Sequence, residues 1–140
     1  MRSRIAEGIG EDATEMFLSL IAGGAASCIL GYPAAARIQR IKLRAFAAAH
    51  LPQTAILHCD ARMRLDAGAI YELRLYEGTV PDPDLLARHG LTPILFNADS
   101  ILLSFPNLTQ REGSWNALTA DEEWKRCPHN VTRISLYKEV

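Results

Sequence analysis

Hydrophobic and polar residues alternate in the second half of the chain in a way that is typical of β-strands. Residues 70–76 read Ile-Tyr-Glu-Leu-Arg-Leu-Tyr, with a period of two positions. Successive side chains of a strand point to opposite faces, so Glu72, Arg74 and Tyr76 would share one face. The pattern therefore predicts a strand with one apolar and one more polar side.

Three further elements are predicted between residues 84 and 105. A short helix over residues 84–89 is ended by Gly90, which suits the left-handed conformation that follows a helix. Residues 92–96 form a short strand, and Pro93 favours a sheet edge because proline cannot donate a ladder hydrogen bond. Residues 100–105 are almost entirely apolar, which predicts a buried central strand.

A second helix and a last strand complete this half of the chain. Asn107 can cap the helix, with Gln110 at the third position of a capping box. One face of the helix carries Leu108, Arg111, Trp115 and Leu118. A last short turn carries Trp124, and residues 131–137 alternate again as the final strand.

The order of these elements predicts the fold class. Strand, helix, strand, strand, helix, strand is the split βαββαβ arrangement of ferredoxin-like folds, so we expect an α+β domain with an antiparallel sheet. Two helices would cover one face of the sheet, and packing two such sheets together in a symmetric dimer would cover the other. Only 15 residues separate Tyr76 from Thr92, which is near the minimum for such a crossover, so the first helix is short.

Residues 1–67 differ from the domain predicted over residues 68–140, because they form an alanine-rich extension. Residues 16–36 are mostly apolar and about as long as a membrane span. However, three glycines and Pro33 interrupt this stretch, and acidic residues precede it. A soluble or poorly ordered segment is therefore favoured over a membrane anchor or a signal peptide.

The clearest upstream element is an amphipathic helix predicted over residues 33–49. Its apolar stripe is formed by Ile38, Ile41, Ala45, Phe46 and Ala49. Its basic edge is formed by Arg37, Arg40 and Arg44. Such a helix can lie on anionic lipid, or it can pack on the domain with its arginines in water, and the second interpretation is favoured. It could also fill the space left by the shortened first helix. Residues 55–65 could form another strand.

Two motifs in the second half resemble the NIPSNAP family. The strand carries Tyr-Glu-Leu-Arg at residues 71–74, and the later helical region ends in Ala-Asp-Glu-Glu-Trp at residues 120–124. Their order and distance match the family's pattern, and the resemblance covers roughly residues 69–137. It implies a ferredoxin-like fold, assembly into a dimeric α/β barrel, and a binding or interaction module as the function.

The resemblance also suggests partners and a location. Animal members of the family are associated with mitochondria and vesicle traffic, as adaptors and not as enzymes. A homodimer with a protein partner or a small ligand is therefore expected, in mitochondria if the source is eukaryotic. The wider class of dimeric α/β barrels includes cofactor-free monooxygenases. The alternative is thus a small enzyme of that class, with Asn97 or Asn116 facing an apolar cavity.

Composition narrows these alternatives. The chain has 140 residues, 49% hydrophobic and 22% charged, which is an ordinary globular composition. Its formal net charge of -1 argues against a nucleic-acid partner, since such proteins usually carry a basic excess. Cys28, Cys59 and Cys127 are odd in number and widely spaced, so a reducing compartment such as the cytoplasm is favoured.

The candidate site residues are Glu72, Arg74 and Tyr76, which we expect on the barrel-facing side of the first strand. A carboxylate, a guanidinium and a phenol inside a barrel could bind a small anion or perform acid–base chemistry. The favoured alternative is that Glu72 and Arg74 form an ion pair that serves the structure. Trp115 and Trp124 are predicted to anchor the second helix against the sheet.

No metal ion or cofactor is expected. His58 and Cys59 would point to opposite faces of a strand, and Cys127 and His129 lie almost 70 residues away, without the spacing of a zinc site. The chain contains no dinucleotide-binding glycine motif, no Walker loop and no Gly-x-Ser-x-Gly elbow. These observations favour a binding module over an enzyme without deciding between them.

Overall fold

The computed structural model describes residues 17–22, 25–31, 38–48, 51–60, 69–127 and 129–140. These residues form eight strands and three helices. The strands are β1 (Phe17–Ala22), β2 (Ala25–Gly31), β3 (Ile38–Ala48), β4 (Thr54–Asp60), β5 (Ile70–Glu77), β6 (Pro93–Phe96), β7 (Ser100–Phe105) and β8 (Asn130–Glu139). The helices are α1 (Pro83–Arg88), α2 (Leu108–Thr119) and α3 (Glu122–Arg126).

All eight strands belong to one sheet, in the order β2-β1-β4-β3-β8-β5-β7-β6. Every pair of neighbouring strands is antiparallel. The sheet curls, because its edge strands β2 and β6 approach each other with Cα atoms within 8 Å. An antiparallel sheet combined with a few helices agrees with the predicted α+β class.

The local predictions for the second half of the chain are confirmed. Gly90 follows α1 with a φ of 81°, the left-handed conformation that lacks a penalty only in glycine. Pro93 begins β6, which is an edge strand, and β7 lies between β6 and β5. The side chain of Asn107 accepts a hydrogen bond of 2.8 Å from the backbone N–H of Gln110 and so caps α2.

The helix predicted over residues 33–49 is wrong where the structure describes it, because residues 38–48 form the strand β3. Arg40, Lys42 and Arg44 are exposed, whereas Leu43 and Ala45 between and beside them are buried. The alternation of exposed and buried side chains has the period of two that is typical of a strand. β3 pairs with β4 on one side and with β8 on the other. The prediction that a helix formed by these residues fills the space beside the short helix α1 is therefore also wrong.

The apolar stretch over residues 16–36 contains two strands among its described residues. β1 and β2 pair with each other, and β1 also pairs with β4. Within the described ranges, none of the helices is both long and apolar enough to cross a membrane. The strand considered over residues 55–65 is present as β4, and residues 61–65 lie outside the described residues.

Two hydrophobic cores lie on opposite faces of the sheet. We call the first face the inner face; its core joins both halves of the chain. It includes Leu18, Leu43, Leu57, Leu73, Leu102 and Tyr137, all 0% exposed. The outer face of β5–β7 carries the second core, which packs under the helices. It includes Leu86, Leu103, Phe105, Trp115 and Leu118. The inner face of the C-terminal strands is thus covered by β1, β3 and β4.

Candidate functional site

The alternating side chains of β5 separate two environments. Tyr71 and Leu73 belong to the inner core. Glu72 instead reaches residues of α2, and Tyr76 packs in the outer core. The prediction that Glu72, Arg74 and Tyr76 face the barrel interior is therefore wrong, because α2 covers the face on which they lie. The prediction that the three residues share one face of β5 is confirmed.

Glu72 is the centre of this site, and its side chain is 0% exposed. Its Oε1 accepts hydrogen bonds from Nε of Arg111 at 2.7 Å and from Nε1 of Trp115 at 2.9 Å. Its Oε2 accepts from Nε of Arg74 at 2.6 Å and from Nη2 of Arg111 at 3.2 Å. Both carboxylate oxygens are therefore fully engaged, as a buried charge requires.

These contacts decide the charge of Glu72. Burial by itself would raise the pKa of this carboxyl. The hydrogen bond from Arg111, the charge and hydrogen bond of Arg74, and the hydrogen bond from Trp115 together outweigh burial and lower the pKa below 4.5. Glu72 is therefore ionised at neutral pH. Since both oxygens already accept from other groups, it is poorly placed to act as a general acid or base.

Two arginines share this one carboxylate, which leaves the cluster with an excess of one positive charge. The side chains of Arg74 and Arg111 are 14% and 23% exposed, so each keeps part of its surface open to solvent. Glu72 engages only Nε of Arg74 and the Nε and Nη2 atoms of Arg111. The remaining Nη groups can donate hydrogen bonds to another acceptor.

Aromatic rings line the same site. The guanidinium of Arg74 lies 3.7 Å from the ring centroid of Trp115, in a cation–π arrangement. Trp115 meets Trp124 edge to face at 6.3 Å, and Trp124 stacks on His129 at 4.5 Å. Trp115 is 8% exposed and Trp124 packs against the same core, which is the geometry expected of anchors for the second helix.

Tyr76 adds a hydroxyl group to this region. The side chain is buried, and its hydroxyl lies beside the guanidinium of Arg74 without a hydrogen bond of standard geometry to any described residue. Burial raises the pKa of the Tyr76 phenol, and the positive charge of Arg74 only partly offsets this. The phenol therefore stays protonated at neutral pH and can donate a hydrogen bond to a bound acceptor.

A second polar cluster joins α1 to α3. Asp121 caps α3 by accepting from the backbone N–H of Glu123, and its Oδ2 lies 2.7 Å from Nε2 of His89 and 3.3 Å from Nη1 of Arg88. The hydrogen bond with His89, followed by that from the Glu123 backbone, lowers the pKa of Asp121 to about 2. This cluster ties the two short helices together.

Comparison with known proteins identifies no relative: no family model matches the chain, and neither does any curated protein or solved structure. The resemblance to the NIPSNAP family therefore rests on the motifs at residues 71–74 and 120–124 alone.

The other predicted chemical residues do not assemble into a site. Cys59 is buried in the inner core, whereas His58 lies 3.3 Å from the hydroxyl of Ser19 and stacks on a phenylalanine. Among the described residues, no group of three or more His, Cys, Asp or Glu side chains could hold a metal ion. Asn116 is exposed and Asn97 bonds to a serine hydroxyl, so neither supports the enzyme alternative.

Sequence reasoning missed the role of Arg111 in the site. The helical spacing places Arg111 on the same helix face as Trp115. It does not show that the Arg111 guanidinium binds Glu72, which lies 39 positions earlier. One signal was available. A charged residue on the buried face of a helix and a charged residue on a strand both require partners, and opposite signs make them candidates for each other.

Proposed function

We propose that this chain is a NIPSNAP-like binding module that recognises a small anion between β5 and α2. The observation that carries the proposal is that Arg74 and Arg111, both partly exposed, share the single buried carboxylate of Glu72. Their unused N–H groups form planar forks that match a carboxylate or a phosphate group. The protonated hydroxyl of Tyr76 supplies a further donor.

The ligand class follows from these donors. The site offers positive charge, N–H donors and aromatic surface, and both oxygens of its one carboxylate, Glu72, already accept hydrogen bonds. It would therefore select acceptor groups and reject cations. The same saturation argues against acid–base catalysis by Glu72, so we propose binding without a chemical step.

The fold proposal has two parts. The elements β5, α1, β6, β7, α2 and β8 follow the βαββαβ order, and their strands lie in the order β8-β5-β7-β6, which supports a ferredoxin-like unit. We further propose that β1–β4 take the position that the sheet of a second subunit holds in a dimeric α/β barrel. The burial of Leu73 and Tyr137 against Leu18 and Leu57 supports this.

Titration of the full chain with inorganic phosphate and with acetate, followed by tryptophan fluorescence, tests the anion site. Trp115 lies against Arg74, so an anion on that guanidinium should change its emission. We expect a saturable change at millimolar concentrations of at least one anion, against a background of sodium chloride at matched ionic strength. Arg74→Gln should weaken the binding by up to about fivefold, since a partly exposed charge pair contributes up to about 1 kcal/mol.

Arg88→Gln is the matched control, because Arg88 pairs with Asp121 and Glu123 and not with Glu72. It should titrate like the unchanged chain. A wild-type chain without a saturable signal, or equal titration of wild type and Arg74→Gln, would contradict the proposal.

The mass of the full chain in solution tests the assembly. If β1–β4 replace the sheet of a second subunit, light scattering should give a monomer of about 15.5 kDa at micromolar concentrations. A stable dimer would favour the assembly implied by the family resemblance, with the second copy on another surface. This result is independent of anion binding. The thiol of Cys127, which is not part of a disulfide, fits a reducing compartment such as the cytoplasm.

A further inference from the structure

A row of exposed cations runs along the outer face of β3. Arg40, Lys42 and Arg44 are all exposed and occupy alternate positions, so their side chains repeat about every 6.6 Å along the strand. Lys138 on β8 is the register partner of Arg44 and extends the row. We call these four residues the cationic row.

No carboxylate side chain of the described residues forms an ion pair with the cationic row. Arg40, Lys42 and Arg44 form no ion pair in the described part of the chain, and their register partners on β4 are His58, Ile56 and Thr54. By contrast, the arginines of the anion site and of α1 are paired with carboxylates. In a chain with a net charge of -1, the row is therefore a local concentration of positive charge.

An apolar groove lies at one end of the row. It has a volume of about 210 Å³ and is lined by Arg44, Ala45, Phe46, Lys138, Glu139 and Val140. The ring of Phe46 is 40% exposed, and the ammonium of Lys138 lies 5.4 Å from its centroid. The groove therefore joins apolar surface to positive charge, with Glu139 as its one carboxylate side chain.

We propose that the cationic row and this groove together dock an acidic, extended peptide segment of a protein partner. Carboxylates at alternate positions of an extended peptide repeat at the same distance as Arg40, Lys42 and Arg44, so each could meet one cation. An apolar residue at one end of the segment would enter the groove beside Phe46. β3 pairs with β4 over residues 38–44 and with β8 over residues 43–48, and we assign recognition of the peptide to the side chains of the cationic row.

The shape of the surface favours a peptide over a bilayer. Binding in a membrane interface requires apolar groups that protrude into the lipid. Phe46 instead lines a concave groove and lies under an ammonium group, which suits a side chain inserted from a partner. Charge complementarity selects an acidic segment, and the groove selects one apolar anchor within it.

Fluorescence anisotropy with the full chain tests this docking surface. The probe is a labelled peptide with one leucine followed by three glutamates at alternate positions, and the control peptide carries glutamine in place of glutamate. We expect saturable binding of the first peptide only, weakening as sodium chloride rises. Replacing Arg40, Lys42 and Arg44 together by Gln should weaken binding by about tenfold, since each exposed pair contributes between about 1.4-fold and fivefold.

Two further variants separate the parts of the surface. Phe46→Ala should weaken binding about threefold or more at every salt concentration, because the groove contact is apolar. Arg126→Gln removes an exposed cation of α3 and should leave binding unchanged. These surface changes should not disturb folding. Equal binding of both peptides, unchanged binding by the triple variant, or binding of phosphatidylserine vesicles without peptide binding would overturn the proposal.

Discussion

The replacement Glu72→Gln is the sharpest test of how the sheet and α2 are joined. Glutamine has nearly the same shape as glutamate, so the change removes the charge and leaves the packing almost intact. It also turns one acceptor into an NH₂ group, which would face the donors of Arg74 and Arg111. The two guanidinium groups would then lie close together without an anion between them.

The structure sets the size of the effect. Breaking a fully buried ion pair by removing one partner typically costs about 3–5 kcal/mol. Arg74 and Arg111 are 14% and 23% exposed, so water relieves part of their repulsion, and the remaining amide oxygen can still accept from Trp115. We therefore expect Glu72→Gln to lower the free energy of unfolding by about 2–3 kcal/mol.

Urea unfolding followed by circular dichroism at pH 7 measures this loss. Glu77→Gln is the matched control, because Glu77 is an exposed carboxylate on the same strand. It should change the free energy of unfolding by no more than about 0.5 kcal/mol. A loss below about 1 kcal/mol for Glu72→Gln would refute the assignment of Glu72 as a buried charge centre.

The pH dependence provides an independent check on the same residue. The pKa of Glu72 is lowered in the folded chain, so its ionised form contributes stability that is present above pH 4.5. This contribution is lost as the pH falls below 4.5 through the folded pKa. The difference in unfolding free energy between wild type and Glu72→Gln should therefore shrink under acidic conditions. A constant difference from pH 7 to pH 3 would show that charge is not its cause.

Three further predictions concern other parts of the chain. Asn107→Ala removes the cap of α2 and should cost about 1 kcal/mol in urea unfolding, whereas Asn107→Asp should cost much less. Gly90→Ala should destabilise by about 1 kcal/mol or more, because φ is 81° and the new Cβ would lie 3.1 Å from Oγ of Ser114. The pKa of Asp121 is lowered to about 2, chiefly by the hydrogen bond with His89, so its stabilising effect is present above pH 3.8. The urea midpoints of wild type and Asp121→Asn should therefore differ at pH 6 and converge as the pH falls from about 4 towards 2; parallel midpoints would contradict this.

The C-terminal elements could be predicted because their signals are local. Alternating apolar and polar residues mark β5, and a proline excludes β6 from the centre of the sheet. Asn107 marks the start of α2 through its side chain, and Gly90 marks the end of α1 through its backbone conformation. None of these signals requires knowledge of a distant partner. They depend on neighbouring residues, so one sequence was enough to read them.

β3 could not be predicted in the same way because its sequence satisfies two periods. Ile38, Ile41 and Ala45 suit a helical stripe, while Arg40, Lys42 and Arg44 alternate with apolar residues as in a strand. Pairing with β4 and β8 decides between them by providing hydrogen bonds and buried surface on both sides. β8 lies about 90 residues later, and local patterns do not show such a partner.

For the cluster around Glu72, too, local sequence patterns predicted some properties, whereas others depend on residues that are distant in the sequence. Alternation correctly grouped Glu72, Arg74 and Tyr76, but it could not say which face of the sheet the helices would cover. A polar strand face need not point into a barrel or into water. Here Arg111 and Trp115 bring three donor groups from α2 to the carboxylate, so the charged side of β5 can lie beneath a helix.

The side chains of β5 alternate between the two faces of the sheet. One face therefore packs in the inner core, and the other carries the charged cluster under α2. Leu73 is fully buried among residues of β1, β3 and β4, while Arg74 next to it belongs to the proposed anion site under α2. A smaller side chain at position 73 would open space in the inner core and lower stability by about 2–5 kcal/mol, with no change in the donors presented to an anion. Loss of the guanidinium at position 74 would remove donors from the site and leave the inner core unchanged. We therefore expect the packing of the inner face by the chain's own strands to be energetically separate from the proposed anion recognition, so that each can be measured without altering the other.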